Sequence, residues 1–326
     1  MTLTLPDPET MRAVLTLATQ APSMHNTQPW RWRVGPDNLS LFADPSRHLR
    51  HADPDRRGLL VSCGAALHHC TVALAAMGWH SRVERLPDPA DPHHLASITV
   101  AAQPAGELDV TLAGAIGRRR TDRRTYSSWP VPWGNIALMG ARAARAGVML
   151  RQIEPSPRLN ALITDAAAAH SHDQDYLSEL AAWSGRRGSV AGIPARNIPA
   201  PQPGAPLTAR VFPGGGLCQP DASPADDNGV VLVLGTEQDD DLARLRAGEV
   251  TSLVLLSATA MGLASCPITE PLEIPETREA VRSDVFGGSG YPQMLMRFGW
   301  APVNAEPLPP TPRRPLPDVA DWLIAG

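Results

Sequence analysis

The stretch Gly58 to Trp79 (GLLVSCGAALHHCTVALAAMGW) constrains this chain more than any other. It is almost wholly apolar and reads as one long helix. A helix that is apolar on every side has no face to give to water, so the rest of the chain must be laid around it. A second apolar helix, Gly248 to Leu263, makes the same demand. The two share a spacing, Gly64-x13-Gly78 and Gly248-x13-Gly262, with Met77 and Met261 just before the second glycine of each. The spacing reads as a chain that repeats itself, the second copy starting near Leu112. His68 and His69 lie inside the first helix. Adjacent helical residues do not face one another, and no carboxylate or cysteine sits at ligand spacing beside them, so packing rather than metal binding is expected.

Around these helices the pattern alternates. Met11, Val14, Leu15, Leu17 and Ala18 recur at helical spacing, and Trp30 to Val34 alternates as a half-buried strand does. Residues 39–43, Arg82 to Leu86, Leu95 to Ala101, Val230 to Leu234 and a run closing at Ile153 also read as strands. Leu159 to Trp183 reads as one long helix, with Leu162, Ile163, Leu177, Leu180 and Trp183 on its core side. The 326 residues, 43% hydrophobic and 19% charged, allow two domains or one large one. A net charge of −4 points to neither a nucleic-acid partner nor an anionic membrane. No apolar run is read as reaching the ~20 residues of a membrane span. The N-terminus does not read as a signal peptide, and the expectation is a soluble cytoplasmic protein, a monomer in solution. Cys63, Cys70, Cys218 and Cys266 show no CxxC spacing and suit a reducing compartment.

All 29 basic residues are arginine. Without lysine there is no Schiff base and no Walker-type phosphate loop. An anion must then be held by arginine forks, backbone amides or helix N-termini.

Two polar stretches stand out. In Ala21-Pro22-Ser23-Met24-His25-Asn26-Thr27-Gln28-Pro29-Trp30, small hydroxyls and amides sit between two prolines, after a helix that Pro22 closes. They can serve a ligand of alternating donors and acceptors, as a flavin's pyrimidine edge and ribityl chain are. They can equally satisfy the turn's own backbone. The second stretch is Gly117 to Tyr126 (GRRRTDRRTY), with five arginines in seven positions and one carboxylate. It lacks the interleaved aromatics of an RNA-binding tract and suits a small dianion held by two or three forks.

APSMHNTQPW resembles the APSxxNxQPW signature of the FMN-dependent nitroreductase superfamily, and the whole chain is similar to its Acg-type actinobacterial branch. The resemblance covers nearly everything except residues 184–228. It implies an α+β fold of mixed, mainly antiparallel sheets flanked by helices, in two fused subunit-like halves (1–110 and 111–326) forming a pseudo-dimer in one chain. It implies FMN as cofactor, held by Pro22, Ser23, Met24, Asn26 and Gln28. Arg119, Thr121 and Arg123 stand in the places of an RxSxR motif, Arg119 and Thr121 for the phosphate and ribityl oxygens and Arg123 near flavin N1 and O2. The aromatic expected two residues after that motif arrives one later, as Tyr126, which leaves the register between Arg123 and Arg124 open. Pro267, Ile268 and Thr269 resemble the segment beside the dimethylbenzene ring and N5, and Arg313 and Arg314 the basic pair that completes the phosphate site. The last core strand matches at Gly290 to Trp300. Only one complete set of these motifs is present, so one FMN per chain is expected.

The activity implied is hydride transfer through flavin N5 from NAD(P)H to a nitroaromatic or quinone-like acceptor, with no protein nucleophile or base. Residues 184–228, rich in proline, glycine and small side chains, contain Ile193, Val211, Phe212, Leu217 and Cys218. They read as an ordered cover over the flavin site, anchored by Phe212 and Leu217, with Gly214 to Gly216 letting the backbone near the ring. Such a cover favours an alternative, an FMN storage or sequestration protein with little or no reductase turnover.

Overall fold

The computed structural model describes residues 5–200, 210–220 and 222–323. After α1 (Pro8–Ala18) the chain forms β1 (Trp30–Val34), β2 (Leu39–Ala43), α2 (Arg57–Ala76), β3 (Trp79–Arg85) and β4 (His94–Ala102). Then come α3 (Glu107–Ile116), α4 (Trp133–Arg145), β5 (Met149–Ile153), α5 (Pro157–Ser171) and α6 (Gln174–Ala182). The cover begins with β6 (Ser184–Arg186) and β7 (Ile193–Pro194). The remainder is β8 (Val230–Thr236), α7 (Asp241–Ala260), β9 (Ala264–Ile268), α8 (Glu270–Glu273), α9 (Pro275–Phe286), β10 (Tyr291–Gly299) and β11 (Ala320–Trp322).

The fold is α+β with two main sheets. One runs β11-β1-β2-β4-β3 and is antiparallel except where β11 joins β1. The other runs β5-β8-β10-β9 and is antiparallel throughout. In the second sheet the two faces of each strand alternate as the pleat requires. Leu232, Leu234, Met296 and Phe298 pack with α4 and α7, whereas Val231, Val233 and Leu295 pack with α5 and α9. The first sheet gives one face to α1 and α2; the other, carrying Arg31 and Arg33, is open to solvent.

The glycine spacing has a steric basis. Helices α2 and α7 cross backbone to backbone: a Cβ on Gly64 would lie 2.0 Å from the Leu245 carbonyl oxygen, and one on Gly248 would lie 2.1 Å from that of Val61. The second glycine of each pair, Gly78 and Gly262, follows its helix end at φ +84°, a left-handed conformation that costs a side-chain-bearing residue. So each pair marks one close crossing and one helix stop.

Four expectations are corrected here. Leu159 to Trp183 is two helices, because the Asp173 carboxylate accepts from the amides of Asp175 and Tyr176 and starts α6 afresh. Helix α1 ends at Ala18, four residues before Pro22. One apolar helix, α2, is long enough to cross a bilayer, but about four-fifths of it is buried within the fold. Residues 184–228 carry β6, β7 and a bridge from Pro199 to Leu217. Gly214 and Gly215 there approach the cover's own backbone at Gly185 and Ile198. The part of the cover at 201–209 lies outside the described residues.

Candidate functional site

The polar loop is held under backbone strain. His25, Asn26 and Gln28 have φ of 46°, 54° and 55°, a region that costs non-glycine residues of order 1–3 kcal/mol each. Its own hydrogen bonds hold that shape: Ser23 Oγ accepts from the Gln28 amide at 3.0 Å, and Ser62 Oγ of α2 accepts from the Met24 amide at 3.1 Å. Asn26 and Gln28 are buried and face other chain segments. Asn26 Nδ2 donates to the carbonyls of Gly192 and Pro312, and Gln28 Nε2 to that of Val190, while Gln28 Oε1 accepts from the Arg314 amide. They tie the cover and the C-terminal tail to the loop.

Pro22, Ser23 and Met24 line a cleft. Opposite them stand Ser62 and Ala65 of α2, Thr251 of α7, Thr121 and Arg123 from the arginine run, and Pro267 and Thr269 at the end of β9. This compartment holds about 550 Å³ and its neighbour about 720 Å³, both counting space open to solvent. The neighbour shares Met24, Arg123, Pro267 and Thr269 and adds His25, Ile268, Cys266 and Arg297, with Arg210 and Phe212 from the cover. Pro267 interrupts no ladder at the core of its sheet, because β9 is an edge strand.

The arginines divide into engaged and free. Arg124 is buried in a two-point ion pair with Asp122, both contacts at 2.9 Å, and also donates to the Glu306 carbonyl. Arg123 faces the cleft, its guanidinium 5.0 Å from the Phe212 ring centroid, and makes no ion pair among the described residues. The geometry therefore selects Arg123 over Arg124 for the cleft. Arg119, two residues before Thr121, is buried with Nε and Nη1 lacking any acceptor. Burial and the neighbouring Arg120 pull its guanidinium down to about 10. Fully buried His69, one turn beyond Ala65, is pushed well below its ordinary range by burial and by the Arg119 charge. This knot of buried positive charge has no carboxylate in it among the described residues, a setting that suits an anion.

Arg313 belongs to the same knot, pulled to about 9 by burial, Arg119 and Arg120. Its N–H groups nevertheless go to the carbonyls of Thr19, Gln20, Ala21, Thr311 and Pro312. It closes the end of α1. Arg314 donates to the Asp318 carbonyl and lies 3.5 Å from the Asp44 carboxylate. Neither lines the cleft.

The sequence reading missed Arg210 and His25. Arg210 reaches from the cover to Glu270 and Glu273 at 3.3 and 2.6 Å, beside His170, which lies 3.4 Å from Glu270 and stacks on Tyr176. Its Nη1 lies 2.7 Å from His25 Nε2, and burial with that charge holds the imidazole well below its usual range. Phe212 meets the His25 ring edge-on at 5.7 Å. An arginine two residues before the one phenylalanine of a Pro/Gly-rich segment was the available signal.

No family model matches the chain. A Mycobacterium tuberculosis protein named "Putative NAD(P)H nitroreductase Rv3131" is 63% identical over 318 residues, 97% of this chain and 92% of that protein. Another from the same organism, "Putative NAD(P)H nitroreductase acg", is 36% identical over 320 residues, 95% of each. The chain belongs to this family, the Acg-type branch of the nitroreductase superfamily. Among solved structures, the FMN-dependent nitroreductase NfnB from Mycobacterium smegmatis in complex with NADPH aligns at TM-score 0.40 and 17% identity, over 65% of this chain and 97% of that one. A nitroreductase with bound FMN from Desulfitobacterium hafniense DCB-2 aligns at 0.41 and 14%, over 66% and 98%.

Proposed function

We propose that the cleft binds one FMN per chain and that the protein is an NAD(P)H-linked oxidoreductase of nitroreductase type. The observation that carries this is the buried Arg119, with two N–H-bearing atoms unsatisfied among the described residues, two positions before Thr121 of a cleft where Pro22–Met24, Thr121, Arg123 and Pro267–Thr269 converge. That donor set fits a phosphorylated flavin: free arginine N–H groups for a dianion, hydroxyls of Ser23 and Thr121 for a polyol, and Arg123 for a ring edge that gathers negative charge. Bound FMN would supply hydride transfer at N5 between NAD(P)H and a nitroaromatic or quinone-like acceptor. Our reading gives the chain's own residues only binding, orientation and exclusion of water. The M. tuberculosis relatives, whose name is that of NAD(P)H nitroreductases, support the class of activity.

The two halves, 1–110 and 111–326, correspond in this reading to two nitroreductase-like subunits fused in one cytoplasmic, monomeric chain. Pseudo-symmetry relates Gly64 to Gly248 and hence Ala65, which lines the cleft, to Glu249. Glu249 is instead filled by a two-point ion pair with Arg85 at 2.7 and 2.8 Å. In this reading that pair would occupy the space a second flavin needs, which supports a single site. The test is direct. The purified protein should be yellow, release one FMN per chain on denaturation and bleach with NADPH without oxygen; a colourless protein that takes up no FMN overturns the reading. A second reading, storage of FMN without turnover, is favoured by Arg210 and Phe212 of the cover, which stand in the compartment beside Arg123.

A further inference from the structure

The cover carries a cavity of its own that shares no lining residue with the flavin cleft. By the same measure as the cleft it holds about 940 Å³, the roomiest of the three. It opens between the loop joining the parallel pair β6 and β7 and the C-terminal tail, which Arg196 and Asn197 bind through the carbonyls of Pro310 and Pro309. Three of its lining side chains are arginines, Arg186, Arg187 and Arg196, and none is acidic. Arg187 has no ion pair or hydrogen bond among the described residues. Arg186 and Arg47 both stand over the Trp183 ring, at 6.0 and 5.2 Å, adding a fourth cation beside the site. The turn between the strands passes through Gly188 at φ +70°, and the backbone N–H groups of Gly188 and Ser189, both in the lining, have no acceptor among the described residues. Successive free amides at a left-handed turn form an anion-binding concavity. In a chain of net charge −4, this is a local concentration of positive charge with no acidic side chain in the cavity's lining.

We propose that this cavity is a second binding site, independent of the flavin, for a nucleoside phosphate. Arg186, Arg187, Arg196 and the Gly188–Ser189 amides take the phosphates, and Val190, Pro194 and Pro312 wall the space left for the base or sugar. Without the open solvent the space is about 480 Å³, more than a bare phosphate fills and within the ordinary range of small-molecule pockets, ~300–1,000 Å³. Occupancy has a consequence for the cleft. The carbonyls of Val190 and Gly192 hold Gln28 and Asn26, so a ligand that pins the β6–β7 loop to the tail also fixes the strained loop that lines the flavin side.

Calorimetric titration of the FMN-saturated protein with ATP, NADP+, inorganic pyrophosphate and adenosine tests this, with Arg187→Ala/Arg196→Ala as the variant. Both side chains are exposed, so the fold should tolerate the change. ATP and pyrophosphate should bind and adenosine should not, with ATP the tighter of the two. The double variant should bind ATP on the order of a hundredfold more weakly, about tenfold per arginine, while its affinity for FMN is unchanged. NADP+ binding as tightly as ATP would identify any adenine nucleotide as the ligand; NADP+ binding much more tightly would identify the dinucleotide. Absence of binding by any of the phosphates at millimolar concentration overturns the proposal. So does ATP binding that survives in the double variant, or that is abolished by Arg119→Ala instead. Running the same titration without FMN separates this site from the flavin reading, since the cover cavity should bind ATP in either state.

Discussion

Arg119 is the residue on which the phosphate reading depends. Its buried Nε and Nη1 lack acceptors, and a charge-assisted hydrogen bond contributes roughly 1.5–3 kcal/mol. Arg119→Ala should therefore weaken FMN binding at least about tenfold, and riboflavin should bind the wild type far more weakly than FMN. Equal affinity for FMN and riboflavin would show that the arginines serve something else. The histidines of α2 yield a prediction about pH. His68 donates to or accepts from Ser252 Oγ at 2.8 Å, and burial pushes its imidazole down to about 4; His69 is depressed in the same sense. The unfolded chain takes up these protons near pH 6.5, the folded chain only well below. The unfolded state thus binds more protons in that window, and stability falls as the pH drops below 6.5. His68 alone contributes about 2 kcal/mol of that loss by pH 5. Urea denaturation of His68→Gln and wild type at pH 7 and pH 5 should show a flatter profile for the variant; parallel profiles would refute the assignment. At this scale Met24, Thr121, Arg123, Pro267 and Thr269 were readable as cleft residues because the motifs specify backbone entry points. Asn26, Gln28 and Arg313 were less so: their partners are carbonyls up to 294 residues away, and a carbonyl leaves no mark in a sequence.

Among the elements, the α2–α7 crossing carries the clearest test. Three glycines of similar appearance occupy different surroundings. Gly64→Ala places a Cβ 2.0 Å from the Leu245 carbonyl oxygen and 3.0 Å from the Gly248 Cα, so the helices must separate. A loss of about 3 kcal/mol or more is expected. Gly78→Ala meets nothing nearer than 3.6 Å but must hold φ +84°, at a cost of about 1 kcal/mol. Gly140→Ala, in α4 with open space around it, should be neutral or stabilising by up to about 1 kcal/mol. Denaturant melts of the three variants should fall in that order, and a Gly64→Ala protein as stable as wild type would remove the close crossing. The glycine spacing was visible only as a repeat; the backbone contact that admits nothing but glycine at positions 64 and 248 was not legible in it. The break between α5 and α6 was not, since apolar periodicity runs on through the Asp173 cap. Strand β11 also went unread: it is three residues long and pairs with a strand near the opposite end of the chain.

For the whole molecule, what matters is whether the cover admits a second substrate to the cleft. Composition alone marked residues 184–228 as a separate layer, but not how it is fastened, which depends on two buried carboxylates of α8 and on side chains of the polar loop. Arg210 is locked to Glu270 and Glu273 and lies against His25, and Phe212 packs between His25 and Arg123. Both line the compartment next to the one holding Pro22, Ser23 and Thr121. A nicotinamide donor must stack on the flavin face, so a side chain fixed in that space should slow it. Excising residues 190–220 would be a poor test, because it also removes the Val190 and Gly192 carbonyls that hold Gln28 and Asn26. Phe212→Ala is cleaner: it takes away one half-buried ring and leaves the Arg210 ion pairs and the β6–β7 loop in place. The intact protein should then be reduced slowly by NADPH in anaerobic stopped flow, and Phe212→Ala at least about tenfold faster with its FMN content unchanged. Fast bleaching of the intact protein would sink the occlusion idea and leave an ordinary reductase. Slow reduction in both proteins would place the barrier elsewhere, and Arg210→Ala, which unfastens the segment from α8, would be the next variant to measure.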